Sequence, residues 1–381
     1  MLHFVRSLLK EKKSLKIFSC VKSKNKLLKS IITIISIIGI TPLILYYNSS
    51  TVSAINKFEI NIVIPTLSKE QIANNDILKE KMIKALLKKD KSKWAYVPMS
   101  SDIFYGDTVS VNCFYISTKE VTNKEYMVFL NDLVINNKID DYLKALPDTT
   151  KWRIHGGNNF LEPMVNMYLW HPAFANYPVV NISREGAQMY CFWLTVEANK
   201  KNVAMYKARK NNNPHLPLPN GIYINDVRIP EETEWMMAAR GGLLGAEYPW
   251  GTNEFQNSKG CFLCNFGVNG SILGIDTVTK CLFNKAQNTS QIPSYTILND
   301  GYLITAPTNS YNKNYYGLYC MSGNVAELVW KNKTRKPGTK GGSWQSDYLH
   351  TKISATDEYE GITEASPYIG FRPVFTATKG I

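Results

Sequence analysis

From Trp94 onward the sequence carries no long stretch of helical periodicity, and this restricts its fold more than any other feature. Long helices and regular strands write a repeating apolar pattern into a chain. Here Asn, Gly, Tyr and Trp are scattered between short periodic segments instead. With 44% apolar and 12% aromatic residues, the chain has ample material for a packed core, which excludes wholesale disorder. The 23 Gly and 17 Pro follow no fixed period, which excludes collagen-like and low-complexity chains. No internal repeat of roughly 20–50 residues is present. The expectation is an α+β domain over 94–381, rich in loops and sparse in regular structure.

Three short helices stand out. Thr122-x-x-Glu125 is a capping box, followed by Tyr126, Phe129, Leu130 and Leu133 on one face. A second helix is expected over about 184–200, with Ala187, Tyr190, Cys191 and Leu194 on one stripe. The third opens in Arg228-Ile229-Pro230-Glu231-Glu232-Thr233-Glu234-Trp235. There Pro230 suits the first turn, the acids suit the positive end of the dipole, and Gly241-Gly242 stops the helix. Strand candidates are 109–116, 177–182 and 370–375. Ahead of all these, 48–93 reads as a linker holding a charged amphipathic helix over about 69–88. Its ragged stripe is Ile72, Leu78, Met82 and Leu86.

The net charge of +13 comes from 44 Lys+Arg against 31 Asp+Glu. Nine basic residues against Glu11 put +8 of it into 1–30, and the remaining +5 is mild for the body of the chain. No strong phosphate-binding face is implied, so nucleic acid is not an expected partner. Residues 31–47 are nearly all Ile, Leu, Thr and Tyr, and no charge falls between Lys29 and Lys57. As a helix this run spans roughly 25 Å, the short end of what crosses a bilayer. Basic residues on its N-terminal side keep that side in the cytoplasm. The expectation is a basic cytoplasmic segment at 1–30 and one transmembrane helix at 31–47, retained as an anchor. A cleaved signal peptide with Val52-Ser53-Ala54 as its small-residue site is the second reading. Cys20 lacks the preceding apolar run that lipid attachment requires.

The seven cysteines are too few for a disulfide scaffold of this length. Cys261 and Cys264 have CxxC spacing, and Cys281 offers a third sulfur, but no good fourth zinc ligand exists. Buried apolar cysteines are the preferred reading. The five histidines, His3, His155, His171, His215 and His350, form no local two-histidine, one-carboxylate pattern for iron.

Taken in order, seven segments resemble the formylglycine-generating-enzyme (sulfatase-modifying factor) family. They are Phe114-Tyr115-Ile116-Ser117-Thr118-Lys119-Glu120-Val121-Thr122-Asn123, Tyr177-Pro178-Val179-Val180-Asn181-Ile182-Ser183, and the Arg228–Trp235 run with Ala238-Ala239-Arg240-Gly241-Gly242. Tyr248-Pro249-Trp250-Gly251 and Tyr316-Gly317-Leu318-Tyr319-Cys320-Met321-Ser322-Gly323-Asn324-Val325-Ala326-Glu327 follow, then Gly341-Gly342-Ser343-Trp344 and Gly370-Phe371-Arg372-Pro373. The resemblance implies a formylglycine-generating-enzyme-like (C-type-lectin-like) α+β fold over 94–381. It also implies a calcium turn at Asn324 and Glu327, whose oxygens would suit a hard cation as a structural ion. Arg372 is expected as a buried ion-pair anchor. The family's two catalytic cysteines, which bind copper and activate oxygen, fall at Ser346 and Thr351. A hydroxyl is a poor ligand for Cu(I), which selects soft sulfur. The expectation is a pseudoenzyme that requires no cofactor.

An insertion at about 136–176 narrows the resemblance. Ala145-Leu146-Pro147-Asp148-Thr149 with Trp152-Arg153, Glu162-Pro163-Met164-Val165, and Tyr168-Leu169-Trp170-His171-Pro172-Ala173-Phe174 are similar to gliding-motility proteins of the GldK and GldJ type. This implies a non-catalytic scaffold of a bacterial secretion or gliding machine, with cell-envelope proteins as partners and self-association open. Tyr168, Trp170 and His171 are the partner-binding candidates. The expected place is the inner membrane, with the main domain in the periplasm, or the outer membrane after signal cleavage. The competing readings are a formylglycine-generating oxidase acting on sulfatase cysteines and a ligand-binding module on the same fold.

Overall fold

The structure, a computed structural model, describes residues 64–153, 161–213, 224, 226–255, 257–258, 262–267, 302, 304–331 and 336–377. The chain divides into Met1–Pro65 and Thr66–Ile381, and the second unit holds almost all of the described residues. The expected cytoplasmic segment and transmembrane helix lie outside the described residues, as do Cys20, Cys261, Cys281, His155 and His215. Among the described residues no helix is long and apolar enough to cross a membrane.

Helix α1, Lys69–Leu87, starts at a capping box in which Ser68 N–H donates to Gln71 Oε1 at 2.8 Å and Gln71 N–H donates to Ser68 Oγ at 3.2 Å. It is no free linker: Ile83 and Leu86 are buried in the main core. Its ragged stripe packs against α2, Asn123–Ile135, and Lys79 Nζ reaches Asp132 Oδ1 of that helix at 2.7 Å. Strand β1 (Trp94–Val97) precedes the hairpin of β2 (Ser100–Phe104) and β3 (Asp107–Val111), and β4 (Phe114–Ser117) follows. The hairpin turns through Tyr105 and Gly106, both at positive φ (55° and 86°), the backbone a two-residue primed turn demands. The single strand expected over 109–116 is therefore two, because β3 pairs back on β2 while β4 pairs with β1.

The capping box at α2 forms as expected, with Glu125 N–H donating to Thr122 Oγ1 at 3.2 Å. The insertion then supplies α3 (Ile139–Ala145), a 3-10 turn at Thr149–Arg153, α4 (Glu162–Met167) and a second 3-10 turn at Pro172–Phe174. Residues 177–182 form only the isolated bridge Thr122↔Pro178, and Asn181 interrupts them at a positive φ of 61°, so no strand forms there. Helix α5, Arg184–Asn212, is capped by Ser183 and runs twelve residues past the expected end at 200. Its last buried residue is Ala198, so the apolar stripe marked only the part that packs. Helix α6, Glu232–Arg240, starts two residues later than expected: Glu231 is the N-cap and Pro230 precedes it. Gly241 ends it in the left-handed conformation at φ 62°.

Strand β5 (Ala326–Lys331) pairs antiparallel with β6 (Lys336–Lys340) and parallel with β7 (Ile369–Gly370). The last strand, β8 (Val374–Thr376), closes the β1-β4-β8 sheet. The candidate at 370–375 thus splits at Phe371-Arg372-Pro373, where Pro373 has no N–H for a ladder and Arg372 turns inward. Aromatic rings from α2, α5 and the β7–β8 link build the main core. Tyr126 lies 5.4 Å from Phe129, and Tyr190 lies 5.5 Å from Phe371.

Candidate functional site

Arg372, on the β7–β8 link, is fully buried, as is Glu327 on β5. Arg372 Nε donates to Glu327 Oε2 at 2.6 Å and Nη2 donates to Oε1 at 2.5 Å, a bidentate pair. Trp235 of α6 adds an indole N–H to Oε2 at 2.7 Å, and Arg372 also donates to the carbonyls of Ser117 and Tyr319. Arg372 is thus the buried ion-pair anchor expected of it. A second carboxylate, Glu120, lies 3.9 Å from Arg372 Nη2 and accepts from Asn324 Nδ2 at 2.8 Å. One guanidinium cannot neutralise two buried carboxylates. Burial pushes the Glu120 carboxyl up to about 8, and Glu327 adds to this, against the Arg372 charge and the Asn324 hydrogen bond.

This network decides the calcium expectation at Asn324 and Glu327. Both Glu327 oxygens are taken by Arg372 and Trp235. Asn324 Oδ1 accepts from Ala306 N–H at 2.7 Å, and its backbone carbonyl accepts from Trp344 N–H at 2.9 Å. The two side chains do not present oxygens to a shared cation, and the pair does not fit a calcium site. The positive φ of Asn324, 66°, instead serves the turn that aims its amide at Glu120 and Ala306.

Ser346 and Thr351 lie beyond Trp344, and both are fully buried. Ser346 Oγ accepts from Ser343 N–H at 2.8 Å and donates to a Glu358 carboxylate oxygen. Ser343 Oγ and Tyr359 Oη complete a hydroxyl cluster at 2.7 Å from each other, with Ser346 Oγ 3.3 Å from Tyr359 Oη. Thr351 Oγ1 donates to the Tyr348 carbonyl at 2.8 Å, and the Thr351 carbonyl accepts from Ser322 Oγ at 2.7 Å. The donor set at the two positions is a pair of hydroxyls already committed to protein groups, which does not fit Cu(I). Cys320 brings no thiolate: it is buried beside Glu120 and Glu327, and burial pushes its thiol well above the ordinary range.

The partner-binding candidates separate. Tyr168 belongs to the core, a correction to the expected surface. It is buried, 4.9 Å from the Trp152 ring, with its hydroxyl 2.7 Å from the Pro178 carbonyl and 2.8 Å from Thr305 Oγ1. Aromatic side chains of an insertion carry too much apolar area to stay in water when α2 and the 177–182 segment offer a face. Trp170 is half-buried against the main core. Only His171 is exposed, and its Nδ1 accepts from Ala173 N–H at 3.2 Å, capping the second 3-10 turn.

Sequence reasoning missed Glu120, Glu358 and Tyr359. Glu120 lies inside a quoted segment, yet no local pattern shows that it faces Asn324, 204 residues away. Glu232 lies in the first turn of α6, where an acid suits the dipole, and it also takes the buried Lys340 amine at 2.9 Å.

Three small sheets, helices of 6 to 29 residues and the loops that join them, around a buried Glu–Arg–Glu centre, define a mixed helix-and-strand, loop-rich class of domain. The chain belongs to the sulfatase-modifying factor enzyme 1-like family, whose domain matches residues 102–377. It is 41% identical over 131 residues to a formylglycine-generating enzyme of Thermomonospora curvata, covering 34% of this chain and 31% of that one. It is 26% identical over 274 residues to the formylglycine-generating enzyme of Mus musculus, covering 67% of this chain and 55% of that one. It is also 33% identical over 259 residues to the inactive C-alpha-formylglycine-generating enzyme 2 of Mus musculus, covering 62% of this chain and 65% of that one. The chain thus spans between about a third and two thirds of the length of these relatives.

Proposed function

We propose that this chain is a pseudoenzyme of the formylglycine-generating fold that serves as an envelope-anchored scaffold of a bacterial secretion or gliding machine. The observation that carries this reading is the filled pair of positions at Ser346 and Thr351. Both hydroxyls are buried and bonded within the protein, where the family places its copper-binding cysteines. A fold kept without its reactive groups is better suited to holding partners than to turning over substrate. Relatives of both kinds, catalytic and inactive by name, are consistent with chemistry lost on a retained frame. The resemblance of 145–174 to GldK-type proteins supports the choice of machine, and the basic-then-apolar order of 1–47 supports the inner membrane with the domain outside the cytoplasm.

Two experiments test this. Purified chain is incubated with copper, oxygen, reductant and a sulfatase-motif peptide, and mass spectrometry is expected to show no conversion of the peptide cysteine. Turnover above a metal-only control restores the oxidase, the reading favoured by the similarity to the T. curvata enzyme. Cross-linked envelopes are then searched for co-purifying proteins. Recovery of secretion or motility components supports the scaffold, and recovery of sulfatases alone overturns it.

A further inference from the structure

The mild positive charge of the body is not spread over it. Residues 198–225 contain Lys200, Lys201, Lys207, Arg209 and Lys210 and not one acid, so they hold the whole +5 left outside 1–30. Everything else balances to zero. The structure strings all five cations along one helix end. Beyond Ala198, its last buried residue, α5 continues to Asn212, roughly 20 Å of helix at the standard rise. Lys200 pairs with Glu197 at 2.6 Å, and Lys201 with Glu80 of α1 at 2.8 Å. Lys207, Arg209 and Lys210 are exposed and meet no carboxylate among the described residues. Arg209 and Lys210 sit in the last turn and complement the helix dipole, but Lys200, Lys201 and Lys207 lie outside it. Met205 and Tyr206 accompany the charges: Met205 is 37% exposed, and Lys210 Nζ stands 5.9 Å from the Tyr206 ring. A helical arm of this length is marginal in water without a packed face.

We propose that the free end of α5 is a landing surface for anionic phospholipid headgroups. Unpaired Lys and Arg with a few apolar side chains among them are the composition of a helix that lies at a lipid surface. The chain points to a bilayer rather than to another polyanion. Helix α1, which holds Lys201 through Glu80, begins 22 residues after the uncharged run at 31–47, a reach of at most about 80 Å. In this respect the inference rests on reading 31–47 as a membrane segment.

The test uses the full chain in lipid nanodiscs of phosphatidylcholine, alone or mixed with phosphatidylglycerol, with amide hydrogen exchange read over 199–212. Any anchoring by 31–47 is common to both discs, so the difference reports headgroup charge. Exchange in the arm is expected to slow several-fold in the anionic discs only, and to recover at high salt as the charges are screened. The variant Lys207→Glu/Arg209→Glu/Lys210→Glu is expected to lose that protection while keeping its melting temperature, because all three side chains are exposed. Equal exchange in the two discs overturns the proposal. So does protection by duplex DNA added to neutral discs without protection by anionic lipid. A chain that enters neither disc defeats the reading of 31–47 alone, and neutral and anionic vesicles added to the free chain then decide the headgroup question by the same readout.

Discussion

The centre around Arg372 and the segment 343–351 lie in one fold but are held in different ways. At the centre, every bond joins parts of the chain far apart: Glu120 to Asn324, Trp235 to Glu327, Arg372 to Glu327. Along 343–351 the backbone is tied to distant parts of the chain, as by Gly267 N–H to the Ser346 carbonyl and Ser322 Oγ to the Thr351 carbonyl. The two hydroxyls, however, bond at short range: Ser346 to Ser343, Glu358 and Tyr359, and Thr351 to Tyr348. The first ties α6, β5 and the β7–β8 link into one body. The second fills a local pocket with hydroxyls. A long-range network of buried charge cannot lose one member cheaply, whereas a local cluster can exchange its reactive atoms and leave the fold standing.

The strongest way to break this contrast is Arg372→Met, which strands Glu327 as a buried charge. A loss of about 3–5 kcal/mol is expected, read as a fall in the urea midpoint. A loss below about 1 kcal/mol would mean that the centre does not hold the fold. Replacing Arg372 and Glu327 together by apolar residues of similar volume should cost far less than Arg372→Met alone, since no charge is then left unpaired.

Next in size is the insertion. Tyr168→Ala removes a buried ring and its two hydrogen-bond partners, and about 3–4 kcal/mol should be lost. His171→Ala, at the exposed end of the same stretch, should stay within about 0.5 kcal/mol. Equal effects at the two positions would return Tyr168 to the surface and undo its assignment to the core.

A smaller effect follows from Glu120. Its folded carboxyl titrates at about 8, above the ordinary 4.5, so the folded state favours the proton. Its stabilising contribution is fully present below the unfolded value and is lost as pH rises through about 8. The melting temperature should therefore fall between about pH 4.5 and pH 8 and level off above that, and Glu120→Gln, whose amide oxygen still accepts from Asn324, should flatten the fall. An unchanged slope in the variant would show that Glu120 is already ionised at neutral pH.

The smallest change is expected at the reactive positions. Thr351→Val gives up one hydrogen bond to the Tyr348 carbonyl and should cost about 1 kcal/mol. The pair Ser346→Cys/Thr351→Cys should remain folded, with a melting temperature within a few degrees of the parent. A collapse of the fold in either variant would show that 343–351 is as structural as the Arg372 centre.

Thr122 and Glu125 at the head of α2, and Gly241 at the end of α6, were legible in the sequence because each acts within three or four residues of itself. Capping needs only a side chain and the nearest orphaned amides, so spacing suffices. The family motifs were legible too, and with them the hydroxyls at Ser346 and Thr351. Only the tertiary structure decided that Tyr168 turns inward and that Asn324 and Glu327 are spent on protein partners. It alone carried α5 to Asn212 as a basic arm beyond the last residue of that helix buried in the core. Those outcomes depend on which element lies opposite, and burial then fixes the cost of every polar group left facing it.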